Sequence, residues 1–197
     1  MKANFYISTF NFNVMLSIFS TITVGISLLL PILAQPISLH FADIANSLIS
    51  FSILLRYISF IFFGLLFSFV AFEMVNRFKK DSIGNYLKSV LQTFQLRQFL
   101  KQIERSDVAT LVGQTRTIRT YNPIIRNFNR TIRRSVIDIR KDKILVDIHI
   151  PSGQQAQKIL NEMTTDIREI LTRMNPDYYF SSPSPTVNHL YFEGTKR

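Results

Sequence analysis

Two stretches, Val14 to Ala34 and Tyr57 to Val75, are each long and apolar enough to cross a bilayer, and nothing else in the chain constrains its fold as strongly. The hydrocarbon core is about 30 Å thick and takes about 20 apolar helical residues to span. Within the two stretches the only ionisable group among Asp, Glu, Lys and Arg is Glu73, close to the end of the second. A carboxylate at that depth is expected to reach the headgroups. The chain is therefore expected to hold a membrane hairpin over residues 1–76, with spans at about 14–34 and 57–75.

The cations orient the hairpin, because Lys and Arg close to a span's end are retained in the cytoplasm. Arg77, Lys79 and Lys80 follow the second span, whereas only Lys2 precedes the first and only Arg56 lies between the two. Both termini are then cytoplasmic. A cleaved signal peptide is the competing reading of the first span, but the apolar run exceeds the usual length of a signal core and no small-x-small pattern precedes Gln35. The segment Pro36 to Leu55, with Leu39, Phe41, Ile44, Leu48 and Ile49 among small polar residues, is expected as an interfacial helix on the outer face. The richness in Ile, Asn, Phe and Ser fits a bacterial or mobile-element origin, hence the inner cell membrane.

Of the formal charge of +10, nearly all lies beyond the second span: from Arg77 onward there are 21 basic and 11 acidic residues. A membrane-proximal domain of that sign attracts anionic lipid, nucleic acid or an acidic protein. The absence of cysteine excludes disulfides and thiolate metal sites.

On a helical projection of the first span, Ser17, Ser20, Thr21 and Ser27 share one arc of about 120°. Such a small, polar stripe either packs against another helix or lines a water-filled path between subunits. Two spans cannot enclose a conduit, so a pore requires a homo-oligomer. Without ionisable groups inside the spans, a pump or coupled transporter is disfavoured. A passive channel and a plain anchor both stay open.

The soluble part begins with a helix capped by Asp81 or Ser82, its apolar stripe running through Ile83, Leu87, Val90, Leu91 and Phe94, then Leu96, Phe99, Leu100 and Ile103. Ser106 to Gln114 ends or bends it. Asn122-Pro123 opens a second helix. Residues 77–134 are thus expected as a basic helical linker. Residues 135–197 are expected as an α+β domain of order β-β-α-β-β with a mostly antiparallel sheet: strands over Ser135–Arg140 and Lys143–Ile150, one long helix from Gly153 to Met174, and strands over Asp177–Phe180 and Val187–Glu193.

Six arginines, Arg116, Arg119, Arg126, Arg130, Arg133 and Arg134, fall between Val108 and Ile137 without one acidic residue. Guanidinium grips phosphate with two parallel hydrogen bonds, and a row of them repels itself unless an anion lies along it. Tyr121 and Phe128 are candidates for stacking on bases, and Arg140 with Lys143 extends the basic surface. Nucleic acid or nucleotide phosphate, the inner leaflet's headgroups, and an acidic partner protein are the three ligand classes. Ser152 and Gly153 open a helix and either cap it or hold a phosphate on free amides.

No phosphate-binding loop, nucleophile elbow, zinc motif or dinucleotide fingerprint is present. No enzyme activity, cofactor or metal is expected. His149 and His189 read as sheet-surface histidines, and Asp138 and Asp147 as counter-ions for the arginines.

The layout of Val14 to Val75 followed by the basic region after Arg77 resembles the two-transmembrane effectors of bacterial anti-phage defence, at the level of architecture. That resemblance implies a homo-oligomeric channel or pore gated by a nucleotide or nucleic-acid ligand on the arginine surface. Anchors of plasmid, phage or secretion machinery share the layout, and imply instead a non-conducting tether.

Overall fold

The structure is a computed structural model that describes residues 4–78, 81–103, 107–111, 114–118 and 122–197. It forms two compact units, Met1–Lys79 and Lys80–Arg197.

The first unit is a helical hairpin of α1, Phe5–Ser38, and α2, Ala42–Phe78. At 1.5 Å per residue their 34 and 37 residues extend about 51 and about 56 Å, well beyond the hydrocarbon thickness of about 30 Å. Both are long and apolar enough to cross a membrane. Only 17% and 11% of their most apolar windows are buried within the chain, whereas a core helix of a soluble protein is mostly covered. The segment expected as a separate interfacial helix instead belongs largely to α2, which starts at Ala42. Asp43 favours the helix start there, and no proline follows to interrupt it.

Small residues set the seam of the hairpin. Ser20, Ser27 and Ala34 of α1 and Ala45, Ser52 and Ser59 of α2 are buried, and each set repeats every seven residues. Ring contacts Phe12–Phe69 at 5.6 Å and Phe19–Phe62 at 6.5 Å fix an antiparallel register. By that register Ala34 lies within about one helical turn of Ala45, as do Ser27 of Ser52 and Ser20 of Ser59. A seven-residue repeat keeps one seam facing its partner, and small side chains let the two backbones approach closely. Three of the hydroxyls bond back to their own helix: Ser27 to Val24 O at 2.9 Å, Ser52 to Ile49 O at 2.7 Å and Ser59 to Arg56 O at 2.8 Å. Glu73 does not reach outward as expected. It is buried and takes Arg77 Nε at 2.8 Å, with the guanidinium 4.8 Å from the Tyr6 ring.

The second unit opens with α3, Ile83–Leu100, whose cap Ser82 accepts from Gly84 N–H. A two-stranded antiparallel ribbon follows, β1 Asp107–Leu111 with β2 Gln114–Ile118, where the sequence had promised only the end of a helix. Then come α4, Pro123–Ile132, and strands β3, Val136–Ile139, and β4, Lys143–His149. The expected long helix is two, α5 Gln154–Glu162 and α6 Thr164–Met174. Asn161 and the successive Thr164 and Thr165 weaken helix propensity at the join. Strands β5 Tyr178–Phe180, β6 Ser184–Pro185 and β7 His189–Lys196 complete an antiparallel sheet of order β3-β4-β7-β5, with β6 beside β7.

One face of the sheet, with Ile137, Ile139, Ile144, Val146, Ile148, Leu190 and Phe192, carries the core. The helices contribute Leu96 and Leu100 from α3, Phe128 and Ile132 from α4, Ala156 and Leu160 from α5, and Ile167 and Leu171 from α6. Residues expected as linker are therefore part of the core, each such side chain contributing about 1.5–3 kcal/mol. Gly194 faces Phe180 across β7 and β5. A Cβ there would lie 2.8 Å from the Phe180 ring, so the close aromatic cover requires glycine.

The stripe Ile83, Leu87, Leu91 and Phe94 of α3 is exposed, and a different face turns inward. Ser89 Oγ accepts from Ile139 N–H at 2.8 Å, Thr93 Oγ1 accepts from Ile137 N–H at 3.0 Å, and Arg97 Nε donates to Ser135 O at 2.8 Å. Four helical residues rise about 6 Å and two strand residues about 6.6 Å, so side chains at i, i+4 and i+8 can follow alternate strand groups. The helix thereby closes the open edge of β3, which would otherwise invite another strand.

Candidate functional site

The basic surface is built on α4. Asn122 Oδ1 accepts from Ile124 and Ile125 N–H, at 3.0 and 3.4 Å, and Pro123 occupies the first turn. Phe128 and Ile132 face the core, which turns Arg126 and Arg130 outward. Arg133, the C-cap, and Arg134 beyond it are also exposed. Asn129 fixes the element by exchanging hydrogen bonds with the backbone of Gln102, at 2.8 and 2.9 Å. Four exposed guanidiniums thus come from nine consecutive residues of a rigid segment.

Other members of the expected surface fare differently. Phe128 is fully buried and is not a stacking platform: its ring fills the core that positions α4. Arg119 and Tyr121 lie outside the described residues. Arg116 lies on β2, opposite Ala109. Arg140 Nε is bound to Asp138 Oδ2 at 2.9 Å, where the carboxylate is buried, so this arginine serves as its counter-ion. Lys143, at the start of β4, is exposed. Gly153 caps α5 without a side-chain hydrogen bond, and Ser152 is exposed. A cleft of about 430 Å³ runs from Pro123, Ile124 and Asn127 to Gly153 and Ala156, bringing the starts of α4 and α5 together.

The proposed pore stripe divides. Ser20 and Ser27 are buried in the seam of the hairpin, whereas Ser17 and Thr21 face outward, with Thr21 Oγ1 donating to Ser17 O at 2.9 Å.

A second polar group lies on the sheet face opposite the core. Asp147 and His149 alternate on β4, and the register pairs His149 with His189 of β7. Ile150 N–H donates to Asn188 O at 2.8 Å, so the adjacent His149–His189 pair is a non-hydrogen-bonded one, in which side chains lie closest. The two rings are 4.3 Å apart. The buried Asp147 carboxylate lies 2.7 Å from His189 Nδ1, and the His189 ring is parallel to Tyr191 at 5.7 Å. Burial pushes His149 below its ordinary pKa; Asp147 opposes this, while His189, Arg134 and Arg97 add to it. The last of the exposed arginines therefore borders this cluster. The cluster was missed because Asp147-x-His149 gains its second imidazole only through a strand about 40 residues later.

Among known proteins nothing matches this chain: no family model, no curated protein and no solved structure.

Proposed function

We propose that this chain is a membrane-anchored binding protein of the bacterial inner membrane, which holds a polyanion, foremost nucleic acid, at the cytoplasmic surface through Arg126, Arg130, Arg133 and Arg134. The observation that carries this reading is the segregation of α4 into a buried face of Phe128 and Ile132 and an exposed face of guanidiniums. Such a row suits the phosphates of a strand, to which arginine bonds in pairs. The hairpin acts as the anchor: two of the four hydroxyl residues that recommended it as a pore are spent in its own seam. Homo-oligomerisation through the outward apolar faces is compatible with this role.

A channel gated by the same ligand is the second reading, favoured by Ser17 and Thr21 on the outer side of α1. A gating ligand must bind the open and closed states with different affinities, since equal affinity shifts nothing.

Proteoliposomes of the full-length protein distinguish the two when ion flux and the binding of a labelled single-stranded oligonucleotide are measured together. Binding without flux, lost in R126E/R130E, is the result expected of the tether. Flux that the oligonucleotide changes, and that Ser17→Leu with Thr21→Leu abolishes, establishes the channel. Binding unaffected by the double charge reversal refutes the assigned surface in both readings, and leaves lipid headgroups or an acidic protein as its counterpart.

A further inference from the structure

We propose that Asp147, His149 and His189 form a binding site for one divalent transition-metal ion of the zinc class. One ligand atom from each residue lies within 4.8 Å of the others. An ion with bonds of about 2.0–2.2 Å in tetrahedral geometry holds its ligands about 3.3–3.6 Å apart. Small rotations of the two partly exposed imidazoles therefore close the set, with water completing the coordination. Two imidazoles and one carboxylate are borderline donors, matched to zinc, cobalt and nickel rather than to calcium or magnesium.

A purely structural role accounts for only part of the cluster. The contact of Asp147 Oδ1 with His189 Nδ1 accounts for those two atoms. It leaves His149 Nδ1 buried with no hydrogen-bond partner among the described residues, a costly arrangement that an ion would relieve. The scaffold is also rigid, because both histidines stand opposite one another on central strands of the sheet. The charges of Arg134 and Arg97 reach His149 and oppose a dication, so they weaken the site.

Isothermal titration of chelator-treated full-length protein in detergent with Zn²⁺ provides the test, with Co²⁺ as a spectroscopic probe of imidazole ligation. The expected result is about one equivalent bound, weakened at least about 100-fold in His149→Ala and in His189→Ala, and about 10–100-fold in Asp147→Asn. Absence of saturable binding at micromolar Zn²⁺, or binding unchanged in the double histidine variant, overturns the proposal. Should a variant fail to fold, imidazole nitrogen resonances of the wild-type protein decide: both His149 and His189 must shift on adding Zn²⁺, and resonances that stay in place refute the site.

Discussion

Each hydroxyl that α3 turns toward β3 accepts from a backbone N–H that water cannot reach. Thr93 Oγ1 also donates to Ser89 O at 2.7 Å. Thr93→Val keeps the shape and removes the acceptor, leaving Ile137 N–H buried without a partner. It is expected to cost about 1–3 kcal/mol, whereas Thr93→Ser retains most of the stability. Denaturant unfolding, with amide exchange at Ile137 and Ile139, reads both. Tyr178 carries a second, pH-dependent term. Its hydroxyl donates to Arg140 O at 3.0 Å or Lys141 O at 3.2 Å, and burial, followed by the carboxylates of Asp81, Asp177 and Asp142, raises its pKa above 10.0. The folded state thus favours the neutral phenol. That contribution is fully present below the unfolded value of about 10 and is lost as pH rises through the higher folded value. Tyr178→Phe is expected to cost about 0.5–1.5 kcal/mol at neutral pH, with the gap to wild type narrowing in alkaline solution. A gap that widens with pH contradicts the assignment.

At the scale of elements, the hairpin is held by a seam narrower than the stripe that its sequence displays. The arc of Ser17, Ser20, Thr21 and Ser27 was legible from helical projection, but the projection has no partner in it. Only the seven-residue repeats of both helices, taken together, single out Ser20 and Ser27 as interior. Ser59→Leu is expected to overpack the seam and destabilise the hairpin by about 1–3 kcal/mol, while Ser17→Leu on the outer side leaves it intact. Cross-linking of an introduced cysteine pair at positions 27 and 52, in a chain with no cysteine of its own, measures the separation. Reduced cross-linking in Ser17→Leu rather than in Ser59→Leu would reverse the two faces. The same limit explains α3. Its apolar stripe could be read, but not the fact that Ser89, Thr93 and Arg97 would turn inward, since a strand edge seeks hydrogen bonds before it seeks apolar cover.

For the whole molecule, local patterns carried strands β3, β4, β5 and β7, the caps and the arginine run, whereas strands without alternation and features made by distant segments stayed hidden. The β1–β2 ribbon lacks the alternation that marks a strand, and His149 meets His189 only through the order of the sheet. The arginine surface was legible because a run of arginines with no acidic residue among them in the sequence needs no fold to be recognised. Its use makes a quantitative prediction. If Arg126, Arg130, Arg133 and Arg134 each neutralise one phosphate of a single strand, log K against log salt has a slope of about −3, from about −0.7 per phosphate. Replacing Arg130 by Gln lowers the slope by about 0.7 and weakens binding to all sequences alike, because phosphate contacts carry no base information. In vesicles of zwitterionic lipid the slope reports the oligonucleotide alone. Adding anionic lipid offers the same guanidiniums about 1 kcal/mol per cation, so it should displace the strand. Displacement identifies α4 as a surface shared by both ligands, whereas a slope near zero in zwitterionic vesicles excludes it as a nucleic-acid interface.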